Sequence, residues 1–204
     1  MGADHRVFSR IVFPENHTHL AWIENEPNES LQSYARRMAA GIKHENPILI
    51  GLSFGGIMAQ EIAAIKPVKE LILISTIKNK SEKPWYMEVA GALNIPDHLP
   101  DSLLKRANKL MAYAFSLVNP DEIEVLNYCF ENANHEHLKW AMNHIANWQG
   151  AEYNTPTFHI HSSKDRVFSS NRDSADAQIS GGHFAVYTNA DELNKILSDK
   201  FTEK

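Results

Sequence analysis

The stretch from Pro47 to Ala64 constrains this chain more than any other. Pro47-Ile48-Leu49-Ile50 is an unbroken apolar run, and Gly51-Leu52-Ser53-Phe54-Gly55 is a turn of small residues around one serine. Gly56-Ile57-Met58-Ala59-Gln60-Glu61-Ile62-Ala63-Ala64 then reads as helix, ended by Pro67. A strand without polar alternation suits a parallel sheet covered on both faces, so Ile48 to Leu52 is expected to be a central strand. A serine on a tight strand-to-helix turn is held in a strained backbone conformation. Residues two positions either side must be small for strand and helix to approach, and Gly51 and Gly55 meet that demand. Gly56 adds freedom where the helix begins. The N–H of Phe54 would lie at the helix N-terminus, where hydrogen bonding and the dipole favour a developing oxyanion.

The rest of the chain repeats the alternation of strand and helix. His17 to Ile23 reads as a short strand, and Leu31, Tyr34, Met38 and Ile42 recur at helical spacing, with Asn28 or Ser30 as cap and Gly41 near the end. Leu71 to Ser75 is a further strand, so an α/β sheet is predicted. The rhythm breaks after Thr76. From Lys83 to about Gln149 the pattern is helical, with an apolar stripe of Leu103, Leu104, Ala107, Leu110, Met111, Ala114 and Phe115. Asn119-Pro120-Asp121-Glu122 is a cap, first-turn proline and acidic first turn ahead of Ile123, Leu126 and Phe130. A third helix carries Leu138, Ala141, Met142 and Ile145 up to Trp148. Strand character returns at Thr157 to His161 and, more weakly, at Ser174 to Ser180. A last helix spans Asp191 to Leu197, capped by Thr188 or Asn189. Residues 1–204 are thus expected to form one domain, with a helical cap inserted at approximately 80–150.

A serine hydroxyl needs a base to take its proton, and the base must itself be held by a third group. Ser162-Ser163-Lys164-Asp165-Arg166-Val167-Phe168 follows directly on a strand, which places Asp165 at a strand's C-terminal end, where sites in open α/β sheets gather. Gly181-Gly182-His183-Phe184 supplies a histidine further on. Serine, acid, histidine is the order this architecture uses.

The segments ILIGLSFGG, FHIHSSKDRVF and ISGGHFAVYTNADEL resemble the nucleophile elbow, acid loop and histidine loop of the α/β-hydrolase superfamily, and most of all its small bacterial members with a helical cap. The resemblance covers nearly the whole chain. It implies a three-layer sandwich on a reduced, mostly parallel sheet of about five strands. It also implies Ser53 as nucleophile, His183 as general base and Asp165 as the residue orienting the imidazole. Phe54 N–H would be one oxyanion donor. The start, Met1-Gly2-Ala3-Asp4-His5, resembles the end of the family's oxyanion loop with its strand cut away, so Met1 or Gly2 would supply the second donor. The missing strand would leave a gap in the sheet or force the first strand to move, and a second copy in a homodimer could complete the sheet. Trp85, Met111 and Phe115 of the apolar cap are candidates for an acyl pocket. The function so implied is hydrolysis of a carboxylic ester or thioester of a small, largely apolar substrate through an acyl-enzyme. The alternatives are an amide, lactone or carbon–carbon bond hydrolase, and a catalytically impaired or non-catalytic binding protein on the same fold.

Composition removes other classes. Twenty basic against 25 acidic residues, without a basic block, argue against nucleic acid as partner. The single cysteine, Cys129, cannot form an intrachain disulfide and reads as a core thiol, which fits a reducing, cytoplasmic setting. No stretch approaches the ~20 apolar residues of a membrane span. Arg6 stands where a myristoylation signal wants serine or threonine. The 11 histidines include the pairs His17/His19 and His159/His161, but none comes with clustered carboxylates or thiols at ligand spacing. No metal or cofactor is expected, and His161 is near enough to the acid loop to touch the site.

Overall fold

A computed structural model describes residues 5–104, 109–117, 119–169 and 174–202, without the side chain of Leu110. Four strands form one sheet: β1 (Ile48–Leu52), β2 (Glu70–Ile74), β3 (Thr157–Ser162) and β4 (Ala177–Ile179). All pairings are parallel, in the order β1-β2-β3-β4, so every strand's C-terminal end lies at the same edge. Register sets Leu52 opposite Ile74, Ile74 opposite Ile160, and Ser162 opposite Ile179. The loops that leave these ends are therefore neighbours, although 130 residues of chain separate Ser53 from His183.

Helices cover both faces. On one, α1 (Leu31–Ala40) and α2 (Phe54–Ala63) pack with α7 (His135–Asn147) around Tyr34, Phe54, Ile57, Ile145 and Phe168. On the other, α8 (Ala185–Thr188) and α9 (Ala190–Thr202) bury Val186, Leu193 and Leu197 against Ile72, Ile74 and Ile160. β2 serves both faces: Leu71 and Leu73 point one way, Ile72 and Ile74 the other, as a period of two demands. All five of its residues are buried.

Two expectations are corrected. Residues 17–23 form no strand. Ile23 instead spends its backbone on one side chain, donating its N–H to the Tyr34 hydroxyl (3.2 Å) and accepting from it at its carbonyl (2.7 Å). Leu20, Trp22 and Ile23 pack onto the core of α1 and α2 rather than into the sheet. Second, β1 is not central. Among the described residues it pairs only with β2 and sits at the sheet's edge, while the doubly covered strand is β2. The sheet has four described strands, against about five expected.

Between β2 and β3 the chain is helical. α3 (Trp85–Ala92), α4 (Asp101–Leu104), α5 (Lys109–Phe115) and α6 (Pro120–Glu131) precede α7. At the start of α6, Glu122 accepts from the N–H (3.1 Å) and the side-chain amide (2.7 Å) of Asn119. The end of α7 is closed by Lys83, whose buried ammonium donates to the carbonyls of Ala146 (2.7 Å) and Trp148 (2.9 Å). Of the expected apolar stripe, Ala107 lies outside the described residues, as does the Leu110 side chain. Ser30 caps α1 by accepting from Ser33 N–H, and Gly41 ends it.

Candidate active site

β1 ends at Leu52 and α2 begins at Phe54, so Ser53 alone makes the turn. Its φ of 53° and ψ of −123° lie in a region that residues with a Cβ rarely occupy. Several contacts hold it there. Ser53 N–H donates to the carbonyl of Ile74 (3.0 Å), and the Thr76 hydroxyl donates to the Ser53 carbonyl (2.7 Å). The glycines differ in what they do. A Cβ on Gly51 would meet the backbone of Gly55 at 2.4 Å, and one on Gly56 would meet the Thr76 methyl at 2.4 Å. A Cβ on Gly55 would meet nothing within 4 Å. The close approach thus requires Gly51 and Gly56, and the expectation that Gly55 must be small is corrected.

The structure brings the three expected residues into one hydrogen-bonded chain. His183 Nε2 lies 2.9 Å from Ser53 Oγ, and His183 Nδ1 lies 2.8 Å from Asp165 Oδ2. With Nδ1–H donating to the carboxylate, Nε2 is free to accept the serine proton. Asp165 is fully buried. Its other oxygen, Oδ1, accepts from the backbone N–H groups of Val167 (2.7 Å) and Phe168 (3.0 Å). Burial by itself would raise its pKa. The facing His183 and the backbone donors outweigh this and hold the carboxyl below its ordinary value. It is thus an anion at neutral pH, aimed at the imidazole.

Two phenyl rings bound the imidazole. Phe115, at the end of α5, stands perpendicular to it at 5.1 Å, and the buried Phe168 lies at 5.6 Å. Gly182 lets the α5 end approach, since a Cβ there would fall 2.2 Å from Ser116 Cβ. Phe115 therefore adjoins His183. Trp85 does not: it is 74% exposed and lines a surface cleft of about 470 Å³ with Lys80, Ser81, Lys83 and Glu88. Met111 shares α5 with Phe115 and is partly buried. Phe54 N–H is at the first position of α2, where no helical carbonyl is available to it. Met1 and Gly2 lie outside the described residues.

Thr76 and Phe168 belong to the site's support and were not singled out from the sequence. Thr76 follows a strand and touches the elbow only through the parallel pairing of β1 with β2, a signal that exists in three dimensions alone. Among the described residues no three His, Cys, Asp or Glu side chains are placed to hold a metal, and no helix is long and apolar enough to cross a membrane.

No protein-family model and no curated protein matches the chain in sequence. Solved structures match it in shape. A thermophilic esterase is similar over 99% of this chain and 86% of its own, with TM-score 0.68 and 14% identity. The chain has the α/β-hydrolase fold. Two further structures agree. A lipase-esterase related protein from Clostridium acetobutylicum matches over 97% of this chain and 90% of its own (TM-score 0.60, 12% identity). The meta-cleavage product hydrolase of Pseudomonas fluorescens matches over 93% and 74% (TM-score 0.57, 19% identity). At such identities the α/β-hydrolase fold is what these comparisons establish. The chemistry has to be argued from the residues.

Proposed function

We propose that this protein is a serine hydrolase that cleaves a carboxylic ester or thioester of a small, largely apolar substrate through an acyl-enzyme. The observation that carries the reading is the unbroken chain Ser53 Oγ, His183 Nε2, His183 Nδ1, Asp165 Oδ2, with both links under 3 Å. In the first step Ser53 Oγ attacks the carbonyl carbon as its proton passes to His183 Nε2. Asp165 stays ionised and stabilises the imidazolium. The negative charge on the former carbonyl oxygen is received by Phe54 N–H at the start of α2. His183 then returns the proton to the departing alkoxide or thiolate, leaving acyl-Ser53. Water repeats the sequence: it gives a proton to His183 as its oxygen attacks the acyl carbon, His183 returns that proton to Ser53 Oγ as the acyl–oxygen bond breaks, and the carboxylic acid departs.

Phe115 beside the imidazole supports an apolar acyl or leaving group, since a ring so placed offers contact area but no hydrogen bond. The test combines two readouts. Turnover of p-nitrophenyl acetate and butyrate is expected for the wild type and should vanish in Ser53→Ala. A fluorophosphonate should add once per chain at Ser53, read by mass spectrometry of peptides. Turnover that survives Ser53→Ala refutes the serine mechanism, and absence of both turnover and labelling favours a non-catalytic binding protein on this fold. Labelling without ester turnover points to an amide, lactone or carbon–carbon bond as the target.

A further inference from the structure

The acid loop rests on a second buried histidine that the proton path above does not use. His161 is the fifth residue of β3, four positions before Asp165, and is fully buried. Its Nε2 lies 3.0 Å from the carbonyl oxygen of Phe168 and 3.8 Å from Asp165 Oδ2. A carbonyl can only accept, so this nitrogen carries the proton and donates. His161 thereby ties the far end of the 165–168 turn back to the strand from which the turn departs. The same turn is closed from within, because Phe168 N–H donates to Asp165 Oδ1. Phe168 thus receives from His161 at its carbonyl, gives to Asp165 at its amide, and places its ring against His183. A polar ring taken wholly out of water is unfavourable unless its hydrogen bonds are returned. A phenyl group would fill the same space, but it would remove from a buried carbonyl the one side-chain donor it has among the described residues.

We propose that His161 is a positioning residue for Asp165: its Nε2–H fixes the acid turn so that Oδ2 stays on the line to His183 Nδ1. The neighbouring His159, 5.3 Å away ring to ring, is also fully buried and is held neutral. Beside it, His161 contributes a directed N–H to the Phe168 carbonyl.

This proposal rests on the Ser53-His183-Asp165 reading, and the experiment separates the two. His161→Phe removes the donor and keeps the ring. His161→Gln returns an amide N–H at about the reach of Nε2. The first readout is kcat against KM on p-nitrophenyl butyrate. The second is the low-field proton NMR signal of the His183–Asp165 hydrogen bond, assigned by its loss in His183→Gln. His161→Phe is expected to lower kcat roughly 10- to 100-fold with KM within about twofold, the scale at which a small misplacement acts. It should also broaden or abolish the low-field signal, while His161→Gln recovers most of both. If His161→Phe does not fold, His161→Asn, whose amide stops short of the Phe168 carbonyl, takes its place against His161→Gln. Unchanged kcat and signal in the donor-less variant overturn the proposal. So does equal impairment of the Phe (or Asn) and Gln variants, which would mean packing alone. A wild type that shows the signal but no turnover defeats the hydrolase reading, and the signal in the variants still decides the role of His161.

Discussion

The strand ends and the helical cap are fastened by different means. At the strand ends the loops are tied backbone to backbone. Ser53 N–H meets Ile74 O (3.0 Å), Ser163 N–H meets Ile179 O (2.9 Å), and Lys164 N–H meets Gly181 O (2.8 Å). The cap reaches the same loops through exposed side chains. Tyr86 OH donates to the carbonyls of Arg166 (3.0 Å) and Val167 (2.7 Å), and Arg166 Nη1 donates to Tyr113 O (2.8 Å). Backbone pairs continuous with the strand ladder fix geometry, whereas exposed side-chain contacts exchange readily with water. The candidate triad loops are thus held by the sheet, and these polar contacts from the cap to the acid loop are held more lightly. Substitutions at strand ends should act on kcat, and those in the cap on KM or on nothing.

The largest effects should fall on the elbow and acid loop. Ser53→Ala is expected to reduce ester turnover to background, a loss on the order of 10⁶-fold where a full triad operates. Asp165→Asn keeps the shape but removes the charge and allows the wrong imidazole tautomer, so roughly a 10⁴-fold fall in kcat is expected. Steady-state kinetics on one activated ester checks both. A fall of under tenfold in Asp165→Asn would break the comparison at its strongest point, because the acid loop would then be no more critical than the cap.

Much of this was legible in the sequence, for reasons that particular residues illustrate. Ser53, Asp165 and His183 could be placed because each follows a short apolar run and sits in a loop of distinctive composition. The cap of α6 was legible because Asn119, Pro120 and Glu122 act within one turn. What failed was long-range. Nothing in His17 to Ile23 announces that Tyr34 will occupy its backbone groups in place of a neighbouring strand. Trp85 had the composition of a pocket residue, but composition does not say which side of a cap helix faces the site. Gly55 and Gly56 are adjacent and alike in sequence, and only the position of Thr76 makes one of them obligatory.

Acid stability sharpens the comparison, since each region buries a neutral histidine. Burial lowers the pKa of His159 on β3 to about 4, with the neighbouring His161 adding to the effect. Burial likewise lowers that of His137 on α7 to about 4. The unfolded chain therefore binds more protons than the folded one between pH ~6.5 and ~4. Stability falls as pH drops through that window, by on the order of 2–3 kcal/mol per histidine. Asp165, whose folded pKa is lowered, adds a further loss only at lower pH, from about its unfolded value downward. Urea midpoints at pH 7, 5 and 4 should show the decline, and His159→Phe and His137→Phe should each flatten part of it. A wild-type midpoint that does not move between pH 7 and 4 contradicts the neutral burial of both rings.

Within the elbow, two glycines four residues apart should respond in opposite ways. Gly51→Ala forces a methyl group into the backbone of Gly55 and is expected to destabilise by about 1–3 kcal/mol, as overpacking does. Gly55→Ala enters open space in the first turn of α2 and should be neutral or stabilising by up to about 1 kcal/mol. Thermal melts of the two variants decide this. Equal losses would mean that the strand–helix approach does not depend on Gly51.

The smallest expected effect lies on the cap side. Arg166 neighbours Asp165, yet its guanidinium faces the cap, over the Tyr113 ring at 4.1 Å and on the Tyr113 carbonyl. Its position in sequence belongs to the acid loop, while its side chain belongs to the cap's attachment. Arg166→Met keeps the stem and removes the charge, so the end of α5 loses exposed hydrogen bonds to the Tyr113 carbonyl and the Ser116 hydroxyl (3.3 Å) and one cation–π contact, each on the order of 0.5–1 kcal/mol. The Asp165–His183 hydrogen bond draws on none of these. Arg166→Met should therefore leave kcat within about twofold, while KM for an apolar ester rises a few-fold as the Phe115 end of α5 becomes less well held. A kcat loss of tenfold or more at unchanged KM would show that cap attachment and acid geometry are one unit, and that the division between a fixing sheet and a lightly held cap does not run through this loop.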